Sequence, residues 1–107
     1  MPYTGGGVEM NKRKDDDVVR GAENLKRLNG DNRPVKIYAV LDHVSRSGML
    51  RKISLFVIKE NEPICILRES KVSGCGMDMG FHLAYQVYCQ TYGFDSNYQK
   101  NLEFHWM

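Results

Sequence analysis

The sequence predicts an α+β fold, a two-layer sandwich with two helices covering a three- to four-stranded antiparallel sheet. Three observations carry this. Asp15 to Leu28 and Met77 to Tyr92 both repeat apolar residues at helical spacing. Between them, three stretches alternate apolar and polar residues and are joined by short turns. An antiparallel sheet must cover its apolar face, and the two helices are the available cover. The predicted order is α-β-β-β-α followed by an extended tail.

The N-terminal segment, residues 1–14, is expected to be disordered and to lie outside the fold. Met1 to Val8 is Gly-rich and has no periodicity. Residues 15–107 are then one domain, long enough for one modest core. In the first helix Val18, Ala22, Leu25 and Leu28 form a narrow apolar stripe. Asp15, Asp16 and Asp17 put negative charge at its start, and Asn29-Gly30 stops it.

Val35 to His43 reads as the first strand, with Val35, Ile37, Ala39 and Leu41 on one face and Tyr38 and Val40 on the other. Ser45-Arg46-Ser47-Gly48 is a turn by composition. Arg51 to Ile58 is the second strand, and Ile53, Leu55 and Val57 alternate with Ser54, Phe56 and Ile58. A third, short strand covers Ile64 to Arg68 and resumes near Lys71-Val72. In the second helix Met77, Phe81, Ala84, Tyr88 and Thr91 share a stripe, and Gly93 ends it. Leu102, Phe104 and Trp106 alternate in the tail, as a final strand or a packed extended segment does. The order also matches that of double-stranded-RNA-binding domains. The basic helix-start motif those domains use on phosphates is missing here, so the similarity stops at element order.

Composition narrows the function classes. No apolar run approaches the roughly 20 residues of a membrane span. No signal-like segment opens the chain, which points to the cytoplasm. Three cysteines at irregular spacing, Cys65, Cys75 and Cys89, make neither a disulfide framework nor a zinc signature. Net charge is +2, too balanced to argue nucleic-acid binding alone. From His43 to Cys75, however, six basic residues face three acids. A run of this kind is most often a solvated face.

Two constellations carry chemistry. The first is Ser73-Gly74-Cys75-Gly76 before a helix start, with Gly80 one turn on. Glycines let successive N–H groups converge, and a helix N-terminus adds unpaired donors and partial positive charge. The pattern suits an anion, phosphate or carboxylate. It equally suits a tight strand-to-helix connection in which Gly80 allows close packing. Cys75 beside that dipole favours thiolate. Asp78 and His82, four apart, share a helix face, so a nucleophile, base and orienter set is available. His43, Cys75, Asp78 and His82 fit no standard zinc spacing. Neither metal nor cofactor is expected.

The second constellation is His43 to Gly48, where Ser45, Arg46, Ser47 and Gly48 offer hydroxyls and a guanidinium to a phosphate. The same residues are ordinary hairpin-turn formers. If the loops lie at one end of the sheet, they converge on one ligand. Tyr85, Tyr88 and Tyr92 read as packing residues. Tyr38 and Phe56, if both face outward, are the better base-stacking candidates.

The motifs His43-Val-Ser-Arg-Ser-Gly-Met with Arg51-Lys-Ile-Ser, and Val72-Ser-Gly-Cys-Gly-Met-Asp-Met-Gly-Phe-His, resemble a family of small proteins carried by bacteriophages, prophages and other mobile elements. The resemblance covers roughly Val35 to Tyr88 and implies a setting without a mechanism. In that setting the expected role is an accessory protein, a host-defence inhibitor included. Such genes also raise Met10 as the translation start, because Gly-Gly codons just upstream resemble a translated ribosome-binding site. The expected function is a binding protein that holds a nucleotide or nucleic-acid phosphate or docks a host protein. The alternatives are a small enzyme with Cys75 as nucleophile and His82 or His43 as base, and a partner-binding inhibitor without chemistry.

Overall fold

The computed structural model of the chain describes residues 6–73 and 78–107, with side chains from Asp16 onward. Its elements are α1 (Gly6–Asn29), β1 (Val35–Val44), β2 (Leu50–Lys59), β3 (Glu62–Ser73), α2 (Asp78–Tyr92), a single turn α3 (Tyr98–Asn101) and β4 (Leu102–Trp106). They make the α+β two-layer fold that the residue pattern predicts.

Helix α1 begins at Gly6, nine residues before the predicted start. Glu9, Met10, Lys12, Arg13 and Lys14 are good helix formers that carry no apolar stripe. The apolar stripe that the periodicity reports starts at Val18. Ala22 and Leu25 are buried, and Val18 and Leu28 lean on the same core. Gly30 and Gly93 close α1 and α2 at φ 60° and 84°, donating to the carbonyls of Lys26 and Cys89 at 2.8 Å. That is the left-handed stop their positions predict.

The sheet order is β3-β2-β1-β4. The first three strands are an antiparallel meander. β4 departs from the antiparallel expectation and pairs parallel with β1, from Val35 opposite Leu102 to Ala39 opposite Trp106. The reason is the crossover. α2 carries the chain back from the end of β3, so β4 starts at the end of the sheet where β3 and β1 start. The sheet is therefore mixed, and the tail becomes an edge strand beside β1.

β3 is one strand of twelve residues, and its predicted interruption is a bulge. Pairing with β2 shifts between Ser70 and Leu67, and Glu69 sits at φ 48°, a left-handed value uncommon for a side-chain-bearing residue. The β2–β3 turn has Glu60 and Asn61 at φ 53° and 69°. Positive φ at both central residues is the hairpin geometry that matches strand twist.

The core lies between the sheet and the helices. Val35, Ile37 and Ala39 from β1, Ile53, Leu55 and Val57 from β2, and Ile66 and Leu67 from β3 meet Leu83, Ala84, Val87 and Tyr88 from α2. Gly80 marks the closest approach. A Cβ there would stand 2.5 Å from the Trp106 ring, so only glycine lets α2 sit on β4. Tyr88, fully buried, donates its hydroxyl to Asp95 at 2.8 Å. Asp95 also accepts from the Asn101 amide at 2.7 Å and the Asn97 backbone N–H at 2.8 Å. That carboxylate thereby ties α2 to the turn that launches β4.

Candidate functional site

Strand alternation sends every second residue to the face away from the core. On β1 these are Lys36, Tyr38 and Val40, and on β2 Lys52, Ser54, Phe56 and Ile58. Tyr38, Val40 and Phe56 are half-buried among their sheet neighbours and stand outside the core cluster. The register then assembles two rows across this outer face.

The first row is aromatic. Tyr38 pairs with Phe56 on one side and His105 on the other. The His105 ring stacks on Tyr38 with centroids 5.3 Å apart and an interplanar angle of 24°. Cys65 follows Phe56 on β3. One residue from each strand thus forms a band, with the two large rings on the central strands.

The second row is basic. His43, Lys52 and Lys71 are successive register partners on β1, β2 and β3. Lys36 lies on the same face beside Tyr38, paired in register with Glu103. The side chains of Lys36, Lys52, Lys71 and Arg46 form no hydrogen bond or ion pair with any described residue. The same region also carries the acids Asp42, Glu69 and Glu103.

Between the rows, Ser54 is buried and bridges two irregularities. Its hydroxyl donates to the Asp42 carboxylate and accepts the Glu69 N–H at 2.9 Å. Asp42 is the extra residue where the β1 register shifts between Leu41 and His43. Glu69 is the bulged residue of β3. The bulges in β1 and β3 flank Ser54 on β2, and this one hydroxyl takes up the N–H that the β3 bulge releases.

The predicted site residues divide between locations. Gly74, Cys75 and Gly76 lie outside the described residues. Ser73, exposed, pairs in register with Leu50, the first residue of β2 after the His43–Gly48 turn. The two polar loops therefore leave from one end of the sheet. Within the turn the serines are occupied: Ser45 Oγ accepts the Leu50 N–H at 3.1 Å, Ser47 Oγ accepts the Met49 N–H at 3.3 Å, and the hydroxyls bond each other at 3.1 Å. Gly48, at φ 77°, closes the turn by donating to the Ser45 carbonyl at 2.9 Å. That leaves Arg46, exposed, as the turn's available polar group. Gly80 is buried against Trp106 and Phe104 and serves packing.

The proposed catalytic set is not assembled among the described residues. Asp78 and His82 share the α2 face but make no hydrogen bond. His82 instead lies 3.5 Å from the Gln86 amide. It lines a groove of about 580 Å³ between α1 and α2, with Val18, Val19, Tyr85, Gln86 and Cys89. His43 is on the sheet, in register with Lys52, so the sheet and core separate the two histidines. No group of three metal-ligating side chains occurs among the described residues. Among them, no helix is long and apolar enough to cross a membrane.

Tyr88 and Tyr92 are packing residues, as the helical spacing suggests. The Tyr92 hydroxyl donates to the Gly30 carbonyl at 2.6 Å, and Arg33 lies over its ring at 4.8 Å. Burial, then the neighbouring Asp95, pushes the Tyr88 hydroxyl up to about 12. Hydrogen bonds from Asn101, Asn97 and Tyr88 hold the Asp95 carboxyl below its ordinary value.

Lys36 and His105 were not singled out by spacing or motif, and Lys52 and Lys71 entered only as members of the basic run from His43 to Cys75. The alternation around Tyr38 and Phe56 carries part of the signal, but the rows exist only once the strands are in register. No protein-family model, curated protein or solved structure matches the chain.

Proposed function

We propose that the chain is a nucleic-acid-binding accessory protein of the phage or prophage kind, and that it binds through the outer face of its sheet. The single observation behind this is the cross-strand pair Tyr38–Phe56 on a sheet face whose lysines, Lys36, Lys52 and Lys71, form no ion pair with a described residue. Aromatic rings on central strands give bases a stacking platform, and unneutralised cations attract phosphates. The phage setting comes from the two sequence motifs.

Fluorescence anisotropy of the full chain with a labelled oligonucleotide of about 15 nucleotides tests this, since such a length exceeds most platform sites. A single strand and a duplex are titrated separately. Saturable binding to at least one, weakening steeply with salt, is expected. No binding to either at low salt overturns the reading.

A second reading, docking of a host protein, is favoured by one observation. Leu41, Val44, Met49 and Leu50 are large apolar residues left exposed near the β1–β2 turn. Its signature is salt-insensitive, stoichiometric capture of one host protein, lost in Met49→Asp.

A further inference from the structure

The placement of the two rows restricts which nucleic acid the face can hold. We infer that the ligand is an unpaired strand longer than a mononucleotide. Its bases stack on the Tyr38–Phe56 row and its backbone runs along β2 toward Lys52, Lys71 and Arg46. This rests on the sheet face being the nucleic-acid site.

The aromatic row favours unpaired bases over duplex. Tyr38 and Phe56 are half-buried on central strands, with a neighbouring strand on each side, and so do not project as wedges. A duplex hides its base faces in the stack and shows only edges and phosphates. Only unpaired bases can lie on such rings. His105, from the edge strand, stacks on the Tyr38 ring and adds a third ring to the row.

Separation of the rows sets the length of a ligand that uses both. From Phe56 to Lys52 is four residues of β2, about 13 Å at strand rise. A ligand that stacks on the aromatic row and places phosphate at Lys52 and Lys71 therefore has more than one nucleotide, whereas Lys36 beside Tyr38 is the cation within reach of a single one. The direction is set as well. Lys52 and Lys71 are register partners toward the turn end of the sheet, and Arg46 lies in the turn beyond them. Lys36 lies on the other side of the platform, so the turn side carries the larger group of cations and gives the backbone its longer track. Asp42 and the exposed Glu69 are acids on this path, and Ser54 donates to the Asp42 carboxylate.

The test is a competition experiment on the full chain bound to a labelled oligothymidylate. Unlabelled single strand, a mixed-sequence duplex of equal length, and thymidine monophosphate compete separately. The single strand is expected to compete at least tenfold better than the duplex, and the monophosphate not measurably. Tyr38→Ala and Phe56→Ala should each lower single-strand affinity about 5- to 100-fold, the loss of one stacked base. Tyr38→Leu, which keeps apolar bulk on the strand but removes the ring face, should do the same with an unchanged melting curve. Lys71→Ala should reduce the salt slope by about 1. Duplex competing as well as single strand overturns this inference and leaves nucleic-acid binding standing, as does single-strand affinity unmoved by Tyr38→Leu. Absence of binding to any oligonucleotide overturns both.

Discussion

The two faces of the sheet use similar residues in opposite ways. On the covered face Phe104 and Trp106 pack edge to face at 5.6 Å, with Phe81 against Phe104 at 5.8 Å. Gly80 gives way to the Trp106 ring, and Tyr88 has its hydroxyl bound by Asp95. On the outer face Tyr38 and Phe56 stand outside the core cluster, and the lysine side chains of that face form no ion pair with a described residue. The covered aromatics are enclosed by residues of both layers. The outer ones are only half-buried, Tyr38 with His105 stacked on its ring, and that is the difference between packing and a binding platform.

Breaking the covered face should have the largest effect. Leu25, with no exposed surface, lies in the core between α1 and the sheet. Leu25→Ala is expected to cost about 2–5 kcal/mol in denaturant unfolding. Gly80→Ala places a Cβ into the Trp106 ring and should cost about 1–3 kcal/mol by overpacking. Relief by Trp106→Leu in the double variant would identify that contact as the cause, whereas an additive loss would assign the cost elsewhere.

The outer face should respond in the opposite sense. Phe56→Ala is expected to weaken single-strand binding by about 1–3 kcal/mol while leaving the unfolding midpoint close to that of the parent chain. If Phe56→Ala melts the protein like Leu25→Ala does, the ring is a core residue and the contrast between faces fails. Lys52→Ala should have a smaller effect, a shallower salt dependence and little change in stability.

pH sharpens the contrast from the covered side. Asp95 has a lowered folded pKa, so its stabilisation is present above the ordinary carboxyl value and is lost as pH falls through the folded one. Tyr88 has a raised one, near 12, so its contribution is present below the ordinary tyrosine value and is lost as pH rises toward 12. Tyr88→Phe should flatten the alkaline limb of a stability–pH curve, and Asp95→Asn the acid limb. An unchanged curve in both variants would remove this hydrogen bond from the account.

The elements were legible because their residues follow local rules. Val35–Ile37–Ala39 and Ile53–Leu55–Val57 alternate, α2 repeats at helical spacing, and Gly30 and Gly93 stop their helices. The early start of α1 was hidden because residues 6–14 carry no apolar period in the sequence. The bulge at Glu69 showed only as a break between Arg68 and Lys71, since backbone geometry of that kind has no residue signature when glycine is absent. The site was less legible. Ser45, Ser47 and Gly48 looked equally like ligand groups and turn formers, and hydrogen bonds within the turn account for the hydroxyls. Gly80, between anion site and packing, is resolved by a ring 2.5 Å from its missing Cβ.

The sequence by itself determined the two layers, the three-stranded meander and which residues alternate to each face, because side-chain period and turn chemistry are local. Tertiary structure alone decided that β4 runs parallel beside β1, because a crossover helix, unlike a hairpin, returns the chain in its original direction. It also decided that His105, Tyr38 and Phe56 share one row and that Lys52 and Lys71 share another. Register between strands is a property of the assembled sheet, so residues as far apart in the chain as Tyr38 and His105 become neighbours only there.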